Sequence, residues 1–176
     1  MKKATLLQTL LARLFQIGLA LIPAFEGILG LLNDLEGAKS TLASVIVPLL
    51  SMQTVQPEFV HSWRGIHNPA LQEMAYYFLA SLEGVIGLLA IISIVGMIKN
   101  FRQDDVHFLH SQAWARGACM FGILIWGFGF FVIGGDFFLA WQSSSLGYFQ
   151  GGGLNYALMM FIPYTLLKKY EHSRTI

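Results

Sequence analysis

Four long apolar runs dominate the pattern of this chain, at about residues 14–32, 74–98, 117–135 and 149–167. Glu26 alone interrupts the first and Glu83 alone the second; the other two carry no charge. A run of about 18 or more apolar residues reads as a transmembrane helix, because about 20 residues are needed to cross the hydrocarbon core. Lipid offers no partner to backbone N–H and C=O groups, so such runs must satisfy themselves as helices. The pattern predicts an all-α membrane protein, with residues 1–176 forming a single four-helix membrane domain.

Polar residues mark the connections. Asn33 and Asp34 suit the exit of the first span, which leaves an outer loop over residues 33–73. Within that loop, residues 41–55 are apolar and uncharged but too short to cross comfortably, and Pro48 would break a helix interior. They are expected to form a short interfacial or re-entrant helix on the outer side. Glu26-Gly27-Ile28-Leu29-Gly30-Leu31-Leu32 recurs as Glu83-Gly84-Val85-Ile86-Gly87-Leu88-Leu89. In spans of opposite direction this is either the trace of an inverted pair or the chance return of a common pattern.

Composition agrees with a lipid solvent: 55% of the residues are apolar and 12% charged, against roughly 25% charged in a soluble domain. The placement of the basic residues then sets an expected orientation. Lys2, Lys3, Arg13, Lys99, Arg102, Arg116, Lys168, Lys169 and Arg174 flank one side of the runs; only Lys39 and Arg64 fall on the other. The positive-inside rule puts both termini and the middle loop in the cytoplasm. The first run is too long for a signal-peptide core and carries Arg13 and Pro23, so an uncleaved helix is expected. Cys119 has no second cysteine to pair with, and no dense basic cluster invites nucleic acid.

Several separate signatures occur in a distinctive order: Asn33-Asp34, Ser51-Met52 with Thr54, Trp63-Arg64 with Ile66 and Pro69, and Ala75-Tyr76 with Glu83. Gly127-Phe128, Ile133-Gly134-Gly135-Asp136 and Trp141-Gln142-Ser143 follow. Over about residues 14–167 the chain resembles a bacterial family of predicted small integral membrane proteins, domain of unknown function 2165. Asp136 and Phe137 stand where the family pattern has glutamate and tryptophan. The resemblance implies four helices and a bacterial inner membrane. It implies no activity.

Few residues can carry chemistry. An acid inside a membrane span must face a bundle interior, a partner or water, so Glu26 and Glu83 lead the candidates, with Asp136 at the outer end of the third span. Gly30 shares a face with Glu26, and Ala80, Gly87 and Ala90 share one with Glu83; small residues let helices approach closely while polar groups bond across. Arg64, beside Trp63, can pair with Asp136 or Glu26 or hold a lipid headgroup. No histidine lies within a span to hold haem, and neither His61 with His67 nor His107 with His110 completes a metal set, so no cofactor is expected. Two functions fit: a non-catalytic accessory or structural subunit packed against other membrane subunits or itself, preferred on the sequence, and a small transporter or proton-conducting protein using Glu26, Glu83 and Asp136.

Overall fold

The computed structural model describes residues 2–175, and they fold as helices with no strand among them. Helix α1 spans Lys2–Thr41 and continues through one wide π segment, Leu42–Ile46, into the short helix α2, Val47–Leu50. Helix α3 spans Pro69–Lys99, α4 Asp105–Ser111, α5 Ala113–Ile123 with a π continuation over Leu124–Phe137, and α6 Tyr148–Thr175. The four long helices lie side by side: α1 against α3, α3 against α5, and α6 along α5 and its continuation.

Apolar side chains face outward along the whole bundle. Phe25, Phe78, Leu88, Leu124, Phe128 and Ile162 are all more than 40% exposed, whereas Gln16, Gln72, Glu83, Ser93 and Gln112 are buried. An exterior this apolar suits lipid. Three helical stretches are long and apolar enough to cross a membrane: Leu6–Leu50, Pro69–Lys99 and Asp105–Phe137. The fourth run expected at 149–167 does form a helix, but Gln150, Asn155 and three glycines dilute it below that standard.

The first helix departs furthest from expectation. Asn33-Asp34 does not end it, because nothing from Asn33 to Thr41 breaks a helix once neighbours supply packing. The separate interfacial helix expected over 41–55 is instead the tail of this same rod, and the wider turn before Pro48 accommodates the ring without a break. Its apolar stretch Leu6–Leu50, 45 residues, at about 1.5 Å each reaches about 68 Å, about twice the roughly 30 Å of hydrocarbon.

Beyond Leu50 the chain turns at Met52, whose φ of 56° is left-handed, and builds a cap over one end of the bundle. Leu49, Met52, Phe138, Ala140 and Leu146 form its core. The Ile66 N–H donates to Leu50 O at 2.7 Å, and Gln72 Nε2 donates to Ile66 O at 2.6 Å. Asn68 then starts α3 by accepting from the N–H groups of Ala70 and Leu71.

The opposite end, where α1 begins and α6 ends, is held by Arg13. Its Nη1 donates to Phe101 O at 2.6 Å and Gln103 O at 2.8 Å, its Nη2 donates to Asp105 Oδ1 at 2.8 Å, and the guanidinium lies 4.8 Å from the Phe108 ring centre. A residue expected only to mark orientation thus clamps the 100–105 loop onto α1. Nearby, Gln112 Nε2 donates to Gln16 Oε1 between buried side chains.

Two expected outcomes follow from this packing. Arg13→Met, which leaves two loop carbonyls without their donor and removes the Asp105 ion pair, should cost about 2–3 kcal/mol, read as a lower unfolding midpoint in detergent; an unchanged midpoint would refute the clamp. At the exposed start of α4, the His107 N–H and imidazole bond the Asp104 carboxylate at 3.0 and 2.6 Å and hold its pKa below the ordinary value. A depressed carboxyl stabilises fully above its unfolded pKa, about 4, and the contribution disappears as pH falls through the lower folded value. Exchange protection of the His107 amide should therefore fall across that window, and Asp104→Asn, which still caps, should remove the dependence.

Candidate functional site

The contact between α1 and α3 is built on glycine. A Cβ on Gly87 would lie 2.8 Å from the Ile28 backbone nitrogen, and one on Gly27 would overlap the backbone of Gly87. The two copies of the recurring heptapeptide are therefore packed directly on each other, antiparallel and backbone to backbone. Gly30 faces the Glu83 side chain, where any Cβ would collide with the carboxylate. The small faces seen in sequence are the two sides of one interface.

Around this contact a cavity of about 610 Å³ opens between α1 and α6. Glu26, Asn33 and Asp34 line it from α1, Glu83 from α3, Trp126 from the α5 continuation, and Tyr156 and Met159 from α6. At its mouth Leu21, Phe25, Leu29 and Met159 are exposed; at its floor Glu83 is 4% and Trp126 8% exposed. It is a groove with a polar floor and an apolar rim. Among the described residues no lysine, arginine or histidine lines it.

Among the described residues Glu83 has no hydrogen-bond or ion-pair partner, and the Trp126 indole N–H and Glu26 Oε2 are buried without one. Buried polar groups are nearly always satisfied, and each exception asks for an explanation. The ring of Tyr156 stacks on that of Trp126 at 4.6 Å, Trp126 contacts Phe130 at 4.4 Å, and Phe130 stacks on Phe149 at 4.8 Å. An aromatic column thus runs from the groove to the cap. Gly153 permits this: its Cβ position lies 2.9 Å from Trp126 O.

The sequence candidates separate into two places. Glu26, Glu83, Gly30 and Gly87 meet at the groove or its supporting interface. Asp136 does not join them; it lines a shallow cavity of about 580 Å³ with Arg64, Phe128 and Phe137, and its Oδ1 accepts from Gln150 Nε2 at 3.2 Å. Among the described residues Arg64 forms an ion pair with neither Asp136 nor Glu26. Its Nε donates to Ser62 Oγ, and its guanidinium sits 5.8 Å from the ring centres of Phe59 and Phe137. Trp63 is 86% exposed and meets the edge of Phe137. Asp34 takes the place Asp136 was expected to fill, and its backbone carbonyl accepts from Tyr76 Oη at 2.6 Å. Its polarity suits a span exit in sequence, but α1 runs on past it to Thr41.

Among the described residues no three His, Cys, Asp or Glu side chains gather closely enough to hold a metal ion, although three acids share the groove. They line its wall at separate points. His107 is engaged with Asp104 at the surface, and Cys119 is buried and reduced.

A family model described as a predicted small integral membrane protein (DUF2165) matches residues 12–167. No curated protein and no solved structure matches the chain.

Substituting leucine for Gly87 should separate α1 from α3 and lower the unfolding midpoint in detergent, by about 1–3 kcal/mol of overpacking. Gly117→Ala, with nothing within 4 Å of its Cβ position, should leave it unchanged. Equal tolerance at both positions would refute the glycine contact.

Proposed function

The chain belongs to the family of predicted small integral membrane proteins that its residues 12–167 match, and from that premise we propose that it is a non-catalytic transporter or proton-conducting protein. Its working groups are the carboxyls of Glu83, Glu26 and Asp34. The observation that carries this reading is Glu83: a side chain 4% exposed, unpartnered among the described residues, on the floor of a groove without a basic residue. A charged side chain in a bilayer costs about 2.5–3.5 kcal/mol even on the lowest scale. Packing alone is served at less cost by glutamine or serine, as Gln16, Gln112 and Ser93 are used elsewhere in the same bundle. A carboxyl can take and release a positive charge, which an amide cannot.

We take all four long helices to cross, α6 included, since Leu167 packs with Leu19 and Met97 at the terminal end while Phe149 packs into the cap. The basic residues support cytoplasmic termini, and a bacterial inner membrane is the setting the sequence signatures imply. An accessory subunit is the second reading. Gly117, Gly151 and Gly152 have open space above them, which would let a helix of another subunit approach.

Two experiments test these assignments. In proteoliposomes with a trapped pH dye, Glu83→Gln should assemble normally and lose at least about 90% of cation or proton flux, the scale of removing an essential proton-transfer group. Asp136→Asn should retain flux, because Asp136 lies in the other cavity. Flux unchanged by Glu83→Gln sinks the transport reading, and a constant larger partner recovered in gentle detergent would then favour the accessory one. For topology, Lys39→Cys and Lys169→Cys, each with Cys119→Ala, should label from opposite faces; labelling from one face would overturn the arrangement.

A further inference from the structure

The lining of the groove also specifies the kind of cation. We propose that it binds an amphipathic organic cation, a lipophilic amine or quaternary ammonium compound, which enters sideways from the bilayer. This rests on the transport reading above and narrows it.

The volume, about 610 Å³, lies within the range of small-molecule sites and far exceeds a bare ion. Among the described residues the acids do not gather closely enough to hold a metal ion, yet the carboxyls of Glu26, Asp34 and Glu83 all border the groove. The Trp126 and Tyr156 rings are stacked and border the same groove. A cation within about 6 Å of the centroid, over a ring face left open to the groove, is attracted by its quadrupole, and more strongly where water is excluded. A carboxylate floor with aromatic walls suits an ammonium whose charge is spread over carbon substituents.

Entry is set by the rim. Phe25 is 61%, Leu29 50% and Met159 45% exposed at the mouth, which opens along the outer surface of the bundle where acyl chains lie. A strongly hydrated inorganic ion would have to shed its water against these side chains, whereas an alkyl or aryl body gains by lying on them. The floor and rim together ask for one molecule with a positive head and an apolar body.

Tritiated tetraphenylphosphonium is a suitable probe, since its charge does not depend on pH. The full-length protein in detergent should bind it saturably, and dodecyltrimethylammonium should displace it while dodecanol and sodium chloride do not. Glu83→Gln should weaken binding at least about tenfold, the scale of losing a close charge partner. Tyr156→Leu, at a 40% exposed site and with an unchanged unfolding midpoint as its control, should weaken it about threefold to tenfold. Glu58→Gln in the cap should have no effect. Displacement by dodecanol as effective as by the ammonium, or binding indifferent to both Glu83→Gln and Tyr156→Leu, overturns the inference. Glu83-dependent proton flux without any binding of the probe overturns it too and leaves the transport reading standing; loss of both removes the two together.

Discussion

Everything in this bundle depends on how closely α1 and α3 approach. Between apolar helices in lipid there is no hydrophobic driving force, so packing and polar contacts must hold them. At Gly27 and Gly87 the two backbones come to the limit that the absence of a Cβ allows. That approach brings the Glu83 side chain over Gly30 and fixes its carboxyl toward α1 rather than toward acyl chains. A larger residue at any of these glycines would move the acid as well as the helix. Helix packing and the position of the acid depend on the same few residues here, and this is why the polar floor of the groove is so deeply set.

The two ends of the bundle are organised differently. At the cap, a small hydrophobic core draws together the tail of the first rod, the loop before α3 and the turn before α6. At the terminal end one guanidinium gathers two carbonyls and a carboxylate. The first device excludes water by area; the second satisfies a loop by direct bonding. Between them α1 and α6 splay, and the groove occupies the gap they leave.

Much of the architecture is legible in the apolar runs, because a run of that length has few alternatives in a bilayer. The inward course of Glu83 is legible too, from the small residues on its face. Where the first rod stops is not. Asn33 and Asp34 read as an exit only if polarity ends a helix, yet a helix ends when its backbone can no longer be satisfied, and here Tyr76 bonds Asp34 O and the cap holds the tail. Because the rod runs on, Asp34 lines the groove from α1, whereas Asp136 lies in the other cavity. The part played by Trp126 and Tyr156 has no local signal at all, since neither differs in sequence from any interfacial aromatic until the column through Phe130 and Phe149 is seen. Arg13 stands in sequence among other basic residues beside the apolar runs, and nothing local marks it as the one that clamps a loop.

The recurring heptapeptide has a consequence for how such a contact is specified. Its two copies, identical but for two aliphatic positions, lie against each other in opposite directions, with Gly27 meeting Gly87. A segment that fits its own inverted image is self-complementary in the way of an isologous dimer interface, where one patch serves both partners. Here both partners are carried on one chain, so equality is no longer required of them. One copy is free to place its acid, Glu83, on the floor of the groove, while the other leaves Glu26 half-open on the wall. Carrying both copies on one chain turns a symmetric seam into one with two distinct sides, so that only one of the paired acids is set deep beneath the groove.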